Sequence, residues 1–341
     1  MPSARAAFAP PSLPAPPRRR FLAGGAALAA GGALSGCVIP FGPGSEQAGR
    51  DMTPTRTTPD VVRIPVGDFT VHAISDGTST RPLAEGFVRN VPLAQVQAAL
   101  REAGLPTDTV TINFTTFLVD TGTRRVLMDT GNGQFGGDTA GRALANMTAA
   151  GIDPRSVNAV VITHFHGDHI NGLRGRDGQL AFPNAKIHVP APEWDFWMSD
   201  ARMAAAPEAQ RGGFQNVRRV FGPLGAAGVE RFAPGAEPVP GILSMPAYGH
   251  TPGHTAFMVR SRAQRLVYWG DLTNVAALFV RNPDWAVQFD MDADTARMTR
   301  RRMLEQAVIE DWTVAGFHLP SPAVGRIVRR GTGYDFVPVS A

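Results

Sequence analysis

Short apolar runs of strand type alternate with helical ones from about Val61 to the end of the chain. "DFTVHAI" (68–74), "FTTFLVD" (114–120), "RRVLMDT" (124–130), "NAVVITH" (158–164), "KIHVP" (186–190), "AFMVRS" (256–261) and "RLVYWGD" (265–271) are rich in β-branched or aromatic residues. Turn residues such as Gly122 break them, which predicts strands. "PLAQVQAALREAG" (92–104), "TAGRALANMTAAG" (139–151) and "DADTARMTRRRMLEQAVIEDW" (292–312) place apolar residues at helical spacing, and the first two end at glycine. In the last helix Met298, Met303, Leu304, Ala307 and Val308 form the predicted buried stripe, while the arginine run 300–302 reads as a solvated face. Strands mixed with helices throughout predict sheets covered by helices, not an all-β barrel. The final residues read as a hairpin, and 81–111 reads as an insertion with a helix, serving as a lid or a homodimer contact.

Composition narrows the class. With 341 residues, 43% apolar and 18% charged, the chain can bury a sizeable core. Residues 1–36 hold Arg5, Arg18, Arg19 and Arg20 and no acid, so beyond them 29 of the 33 basic residues face all 29 acidic ones. That balance predicts no nucleic-acid partner, which would call for a cationic stripe. The stretch "RRRFLAGGAALAAGGALSGC" has a basic start, an apolar middle too short to cross a bilayer and a small-residue stop, the layout of an export signal over 1–36. Arg18 and Arg19 before Phe21 and Leu22 resemble the twin-arginine type, and "LSGC" resembles a lipoprotein box that would lipidate Cys37. The expected location is therefore the periplasm, free or membrane-anchored through Cys37. Cys37 is the only cysteine, which excludes an internal disulfide. Residues 37–60, rich in Pro, Gly, Thr and Ser, read as a flexible linker, and 61–341 as the folded domain.

The chemistry gathers at strand ends. "THFHGDH" places three of the eight histidines and an aspartate directly after the strand "NAVVIT". His164 and His166, two apart in an extended segment, point the same way, and Asp168 and His169 reach the same spot across Gly167. Borderline divalent metals such as zinc take imidazole and carboxylate together, and four such groups exceed what one open site requires. Two adjacent ions are the inference. "AYGHTPGHTAF" adds His250 and His254, "YWGDLTN" adds Asp271, and "VAGFHLP" adds His318, each at a strand-to-loop junction. His72 and His188 fall inside strand patterns and read as packed or surface histidines.

This order of motifs, HxHxDH, then "GHTPGH", then an aspartate after an apolar strand, then a late histidine, resembles the metallo-β-lactamase superfamily, with its αββα four-layer sandwich. The further motifs "SDG", "DTG", "AFPNAKIHV", "DFW" and "GYDFVPV" resemble the methyl parathion hydrolase group. The resemblance implies two divalent ions, most simply zinc. His164, His166 and His250 would hold one, Asp168, His169 and His318 the other, and Asp271 would bridge them. Of "GHTPGH" it makes the first histidine the ligand, leaving His254 a supporting group. Asp129, in "LMDTG", corresponds to the aspartate under the site that holds the ligand loop. It implies a metal-bridging hydroxide as nucleophile, steered by Asp168, with Asp168 and Asp271 as the catalytic carboxylates.

Substrate class is drawn more broadly. The expected substrates are small apolar esters, lactones or organophosphate triesters, with Phe135 and Trp197 as pocket walls or as core aromatics. Asn274 stands where acyl-homoserine lactonases carry a tyrosine, so lactone cleavage loses one expected oxyanion helper. An acyl-homoserine-type lactonase, a low-turnover metal-holding surface lipoprotein and a mononuclear iron oxygenase are the alternatives.

Overall fold

The computed structural model describes residues 52–340, so the export segment and Cys37 lie outside the described residues. Among these, one sheet takes its strands in chain order: β1 (Thr55–Thr58), β2 (Val61–Val66), β3 (Phe69–Pro82), β4 (Thr109–Asp120), β5 (Arg125–Met128), β6 (Ala159–Val161), β7 (Lys186–Pro190) and β8 (Glu230–Phe232). The second contains β9 (Ile242–Pro246), β10 (Thr255–Ser261), β11 (Gln264–Tyr268), β12 (Thr313–Ala315), β13 (Val324–Arg330) and β14 (Gly333–Pro338), also in order. Pairing is antiparallel from β1 to β5 and parallel from β5 to β8. In the second sheet only β11 and β12 pair in parallel.

Side-chain alternation along these strands builds the layers. Phe117, Val119, Val126, Met128 and Val161 share a core with Phe257, Val267 and Val314 of the second sheet. Their sequence neighbours Leu118, Leu127 and Val160 point the other way, into a core with Met147, Trp194, Phe214 and Val217. The helices are α1 (Leu93–Glu102), α2 (Ala143–Ala149), α3 (Gly167–Ile170), α4 (Ala191–Trp197), α5 (Asp200–Ala205), α6 (Glu208–Phe221), α7 (Ala276–Phe279) and α8 (Ala293–Ile309). α2, α4 and α6 cover the first sheet, and α8 packs on β13 of the second. This is the αββα four-layer sandwich expected from the sequence. No helix among the described residues is long and apolar enough to cross a membrane.

Three expectations need correction. The stretch read as linker already contains β1, which pairs with β2 and closes the edge of the first sheet. The insertion is shorter than 81–111, because the β3–β4 ladder runs out to Pro82 and Thr109, and Val96 and Leu100 anchor α1 in the core. In α8 the buried face holds Ala296, Thr299, Arg300, Met303, Leu304 and Ala307, whereas Met298 is 68% exposed and Val308 is only partly buried. The stripe is rotated because Arg300, expected in solvent, turns inward to buried acceptors.

Candidate metal centre

The candidate ligands come from loops at one end of the sandwich. His164, His166, Asp168 and His169 follow β6, His250 lies between β9 and β10, Asp271 follows β11 and His318 follows β12. β11 and β12 run parallel, so the loops leaving them emerge on one edge of the second sheet, and there they meet the loop that leaves β6 of the first. The structure brings all seven side chains together. They form two sets, His164, His166, His250 and Asp271, and Asp168, His169, His318 and Asp271, and the donor atoms of each set lie within 4.8 Å of one another. Asp271 belongs to both, with Oδ1 3.0 Å from His169 Nε2, and Oδ2 3.2 Å from His250 Nε2 and 3.0 Å from His318 Nε2.

Which ring nitrogen faces the centre is set from behind. His164 Nδ1 is 3.0 Å from Thr163 Oγ1, His169 Nδ1 is 2.8 Å from Asp129 Oδ2, His250 Nδ1 is 3.0 Å from Asp290 Oδ1, and His318 Nδ1 is 2.7 Å from the Asn113 carbonyl. Four imidazoles are thus held at Nδ1 and present Nε2, the arrangement that orients metal ligands. His166 is turned the other way, with Nδ1 2.9 Å from His250 Nε2. The donors fit divalent ions: Nε2 of His164, Nε2 of His169 and Oδ1 of Asp271 are buried and none makes a well-aligned hydrogen bond among the described residues, even where the last two lie 3.0 Å apart, a costly arrangement unless a cation takes their lone pairs.

Charge in the cluster follows the same logic. Burial pulls the His250 imidazole down, but the Asp271 carboxylate, with Asp290 behind, outweighs it and holds it at about 9. Burial is likewise overcome at His169, held well above the ordinary range by Asp271, Asp168 and Asp129. Burial and the facing His169 drive His164 well below it. Burial favours a neutral Asp271, yet His318, His169 and His250 keep its carboxyl well below the usual range. The same carboxylates favour the protonated ring at His169 and His250, and divalent ions would take the place of those protons.

The sequence profile of the metallo-beta-lactamase superfamily matches residues 113–318, from Asn113 behind the site to the last histidine. The chain belongs to the metallo-beta-lactamase superfamily. It is a hydrolase of that fold. No curated protein gives a significant sequence match. Among solved structures, hydrolase AbOPH of the beta-lactamase superfamily is 26% identical, with a TM-score of 0.77 over 84% of this chain and 99% of that one. AidC, a dizinc quorum-quenching lactonase in complex with its product N-hexanoyl-L-homoserine, is 24% identical, with a TM-score of 0.76 over 85% and 99%. An N-acyl homoserine lactone hydrolase with N-hexanoyl-L-homoserine at its catalytic metal center is 15% identical, with a TM-score of 0.53 over 74% and 94%.

Behind the ligands of this metallo-beta-lactamase fold lies a buried polar frame. Asp129, at φ +57°, accepts from Thr163 N, Thr163 Oγ1 and Tyr268 Oη at 2.8, 2.8 and 2.6 Å as well as facing His169. Aspartate tolerates that left-handed geometry, and four partners offset its strain. His254 is not among the candidate ligands: Nδ1–H donates to the Ala247 carbonyl at 2.7 Å, and Nε2 accepts from the Asp271 backbone N–H at 3.1 Å. Burial and the neighbouring His250 hold it neutral, down at about 4. Gly270, at φ +52°, leaves room for this bond, since a Cβ there would stand 2.8 Å from His254 Nε2.

Sequence reading missed three carboxylates. Buried Glu193 accepts from Phe165 N and Trp197 Nε1 with Oε1, and from Thr251 Oγ1 and Gly253 N with Oε2, at 2.7–2.9 Å. It ties the His164–His169 loop to the His250 loop. A Cβ on Gly253 would collide with the Glu193 backbone, which accounts for the second glycine of "GHTPGH". Asp76 sits in the β-bulge between Ser75 and Gly77 and accepts from Asn132 N and Ala143 N at 2.7 and 2.8 Å. Asp290 backs His250. The "SDG" motif flagged Asp76 without a role, and nothing near Glu193 or Asp290 marked either.

Above the centre opens a cavity of about 670 Å³, lined by His166, Asp168, His250, Asp271 and His318 at its base and by Ile112, Phe114, Phe135, Trp197, Phe289 and Met291 on its sides. Trp197 is both wall and core, buried against Phe214 at 4.8 Å and edge-on to His166 at 6.2 Å between ring centroids. Phe135 is 37% exposed at the rim, with the Arg219 guanidinium 4.0 Å from its ring centroid. His72 is half-buried in β3, and His188, in the middle of β7, lies beside Glu230 at 3.3 Å; neither belongs to the ligand sets.

Proposed function

We propose that the protein is a dinuclear metallohydrolase whose substrates are small lactones and esters with an apolar arm. The observation that carries this is the shared Asp271 between two complete ligand sets at the base of a cavity with an aromatic and aliphatic side formed by Ile112, Phe114, Trp197, Phe289 and Met291. When bound, the two divalent ions, most simply zinc, would supply Lewis acidity that lowers the pKa of a shared water and polarises the carbonyl or phosphoryl oxygen. Asp168, a quarter exposed at the cavity base, has Oδ2 3.5 Å from His318 Nε2 and 3.7 Å from His169 Nε2. Its carboxylate can accept the proton released on attack and return it to the leaving alkoxide. Trp197, Phe114 and Ile112 exclude water around the acyl arm, and the frame of Asp129, Glu193, His254 and Asp290 holds the ligands in place before substrate arrives.

Two structural neighbours carry an acyl-homoserine product, which supports placing lactones first. The resemblance to the methyl parathion hydrolase group adds aryl phosphotriesters to the same cavity. The test is initial rates of the metal-loaded protein on a γ-lactone with an acyl arm, an aryl ester and an aryl phosphotriester, with His250→Ala as the blank. Turnover of the lactone above the others is expected; no turnover of any of them with two ions bound would overturn the reading. The sequence of residues 1–37 supports export and lipidation at Cys37, to be checked by fatty-acid labelling lost in Cys37→Ser.

A further inference from the structure

Three arginines follow one another in α8, and the first is turned inward: Arg300 is 1% exposed, unlike its neighbours. Its guanidinium donates from Nε to the Leu272 carbonyl at 2.7 Å, from Nη1 to the carbonyls of Trp285 and Pro283 at 2.7 and 3.2 Å, and from Nη2 to Asp290 Oδ2 at 3.1 Å. Asp290 is fully buried, and its other oxygen lies 3.0 Å from Nδ1 of His250. A continuous path therefore leads from the middle of α8 through one carboxylate to a candidate ligand.

The backbone is docked along the same path. Met291 N donates to the His250 carbonyl at 3.0 Å and Asp292 N to the Gly249 carbonyl at 2.9 Å. Gly249, at φ +122°, lets the His250 loop press against Ala296 at the start of α8, where any Cβ would collide. Two of the carbonyls that Arg300 gathers, those of Pro283 and Trp285, belong to the segment before Gln288, Phe289, Asp290 and Met291, which line the cavity, and the third belongs to Leu272, next to Asp271. A buried ion pair is weak evidence of stability, since a well-packed apolar pair is often as stable. What an apolar pair could not do is present an acceptor to His250 Nδ1–H.

We propose that Arg300 is a positioning residue: it fixes the Asp290 carboxylate as acceptor for His250 Nδ1–H, so that His250 offers Nε2 to the set it shares with His164 and His166. The inference rests on the dinuclear reading of the site. It makes the two ions unequal under these substitutions, because Asp290 backs His250 alone, whereas His169 in the other set is backed by a different carboxylate, Asp129.

The test uses the full-length holoprotein and the variants Asp290→Asn, Arg300→Lys and both together, loaded with cobalt and titrated with a chelator while the visible absorption of each ion is followed. Each single variant should weaken one of the two ions roughly 10- to 100-fold and leave the other unchanged, as loss of an outer hydrogen-bond partner does. The double variant should be no weaker than Asp290→Asn alone, because both act on one path. A merely structural role would weaken both ions together, and that result, additive losses, or unchanged affinity in folded Asp290→Asn would overturn the proposal. Asp290→Asn is nearly isosteric and decides the matter even where Arg300→Lys does not fold. Fewer than two ions in the unsubstituted protein would instead remove the dinuclear reading, and the inference with it.

Discussion

The base of the cavity and its walls are built on different terms. At the base, four of the five candidate histidine ligands are held at the nitrogen facing away from the centre by Thr163, Asp129, Asp290 or the Asn113 carbonyl, and Asp129, Glu193, His254 and Asp290 form a polar frame buried from solvent. The walls carry aromatic and aliphatic side chains with polar ones such as Arg81, Arg89 and Gln288 between them, and at the rim Phe135 is held against arginines rather than buried. The difference teaches where tolerance lies. A polar frame fails as a unit when one member leaves its partners buried and unpaired, whereas an apolar wall can change shape at little cost.

The sharpest way to break that contrast is at its centre. Asp271→Ala should release both ions and bring hydrolysis down to the His250→Ala blank, measured by metal content and initial rate, because one carboxylate serves both sets. Glu193→Ala comes next: it strands four buried donors on Phe165, Trp197, Thr251 and Gly253, and should cost at least about 3 kcal/mol in denaturant unfolding. A loss well under that would mean the two ligand loops are held by something else. His254→Ala should weaken metal binding by roughly 10- to 100-fold with both ions still present at saturation, since it removes the acceptor of the Asp271 backbone N–H and no donor of the ligand sets. Complete metal loss would make His254 a ligand. The smallest effect belongs to the wall: Phe135→Ala should change KM for long-armed substrates with kcat and metal affinity intact, and a drop in metal affinity would join the rim to the frame.

Legibility in the sequence divides along the same line. The ligands could be read because each is a rare residue at a strand end, and seven such residues in a fixed order leave little freedom. The sandwich was legible because Leu118, Leu127 and Val160 alternate with their neighbours to serve two cores. Arg300 was not, since its charge reads as solvent-facing and its acceptors are carbonyls from a loop that lies nearby only after folding. Glu193 and Asp290 were hidden for a related reason. A carboxylate in "PEWDFW" or "QFDMD" carries no local sign of burial, and three of the four donors to Glu193 come from 28 to 60 residues away, while the partners of Asp290 lie 10 and 40 away. β1 was obscured by proline and threonine, which fit a tether and an edge strand equally well.

Whether two ions share the Asp271 carboxylate is decided by metal content per chain measured together with lactone turnover, in the full-length protein and in Asp271→Ala. Two ions per chain with turnover are expected in the first, and neither in the second. One ion per chain in the unsubstituted protein, or two ions and unimpaired turnover in Asp271→Ala, would contradict that sharing.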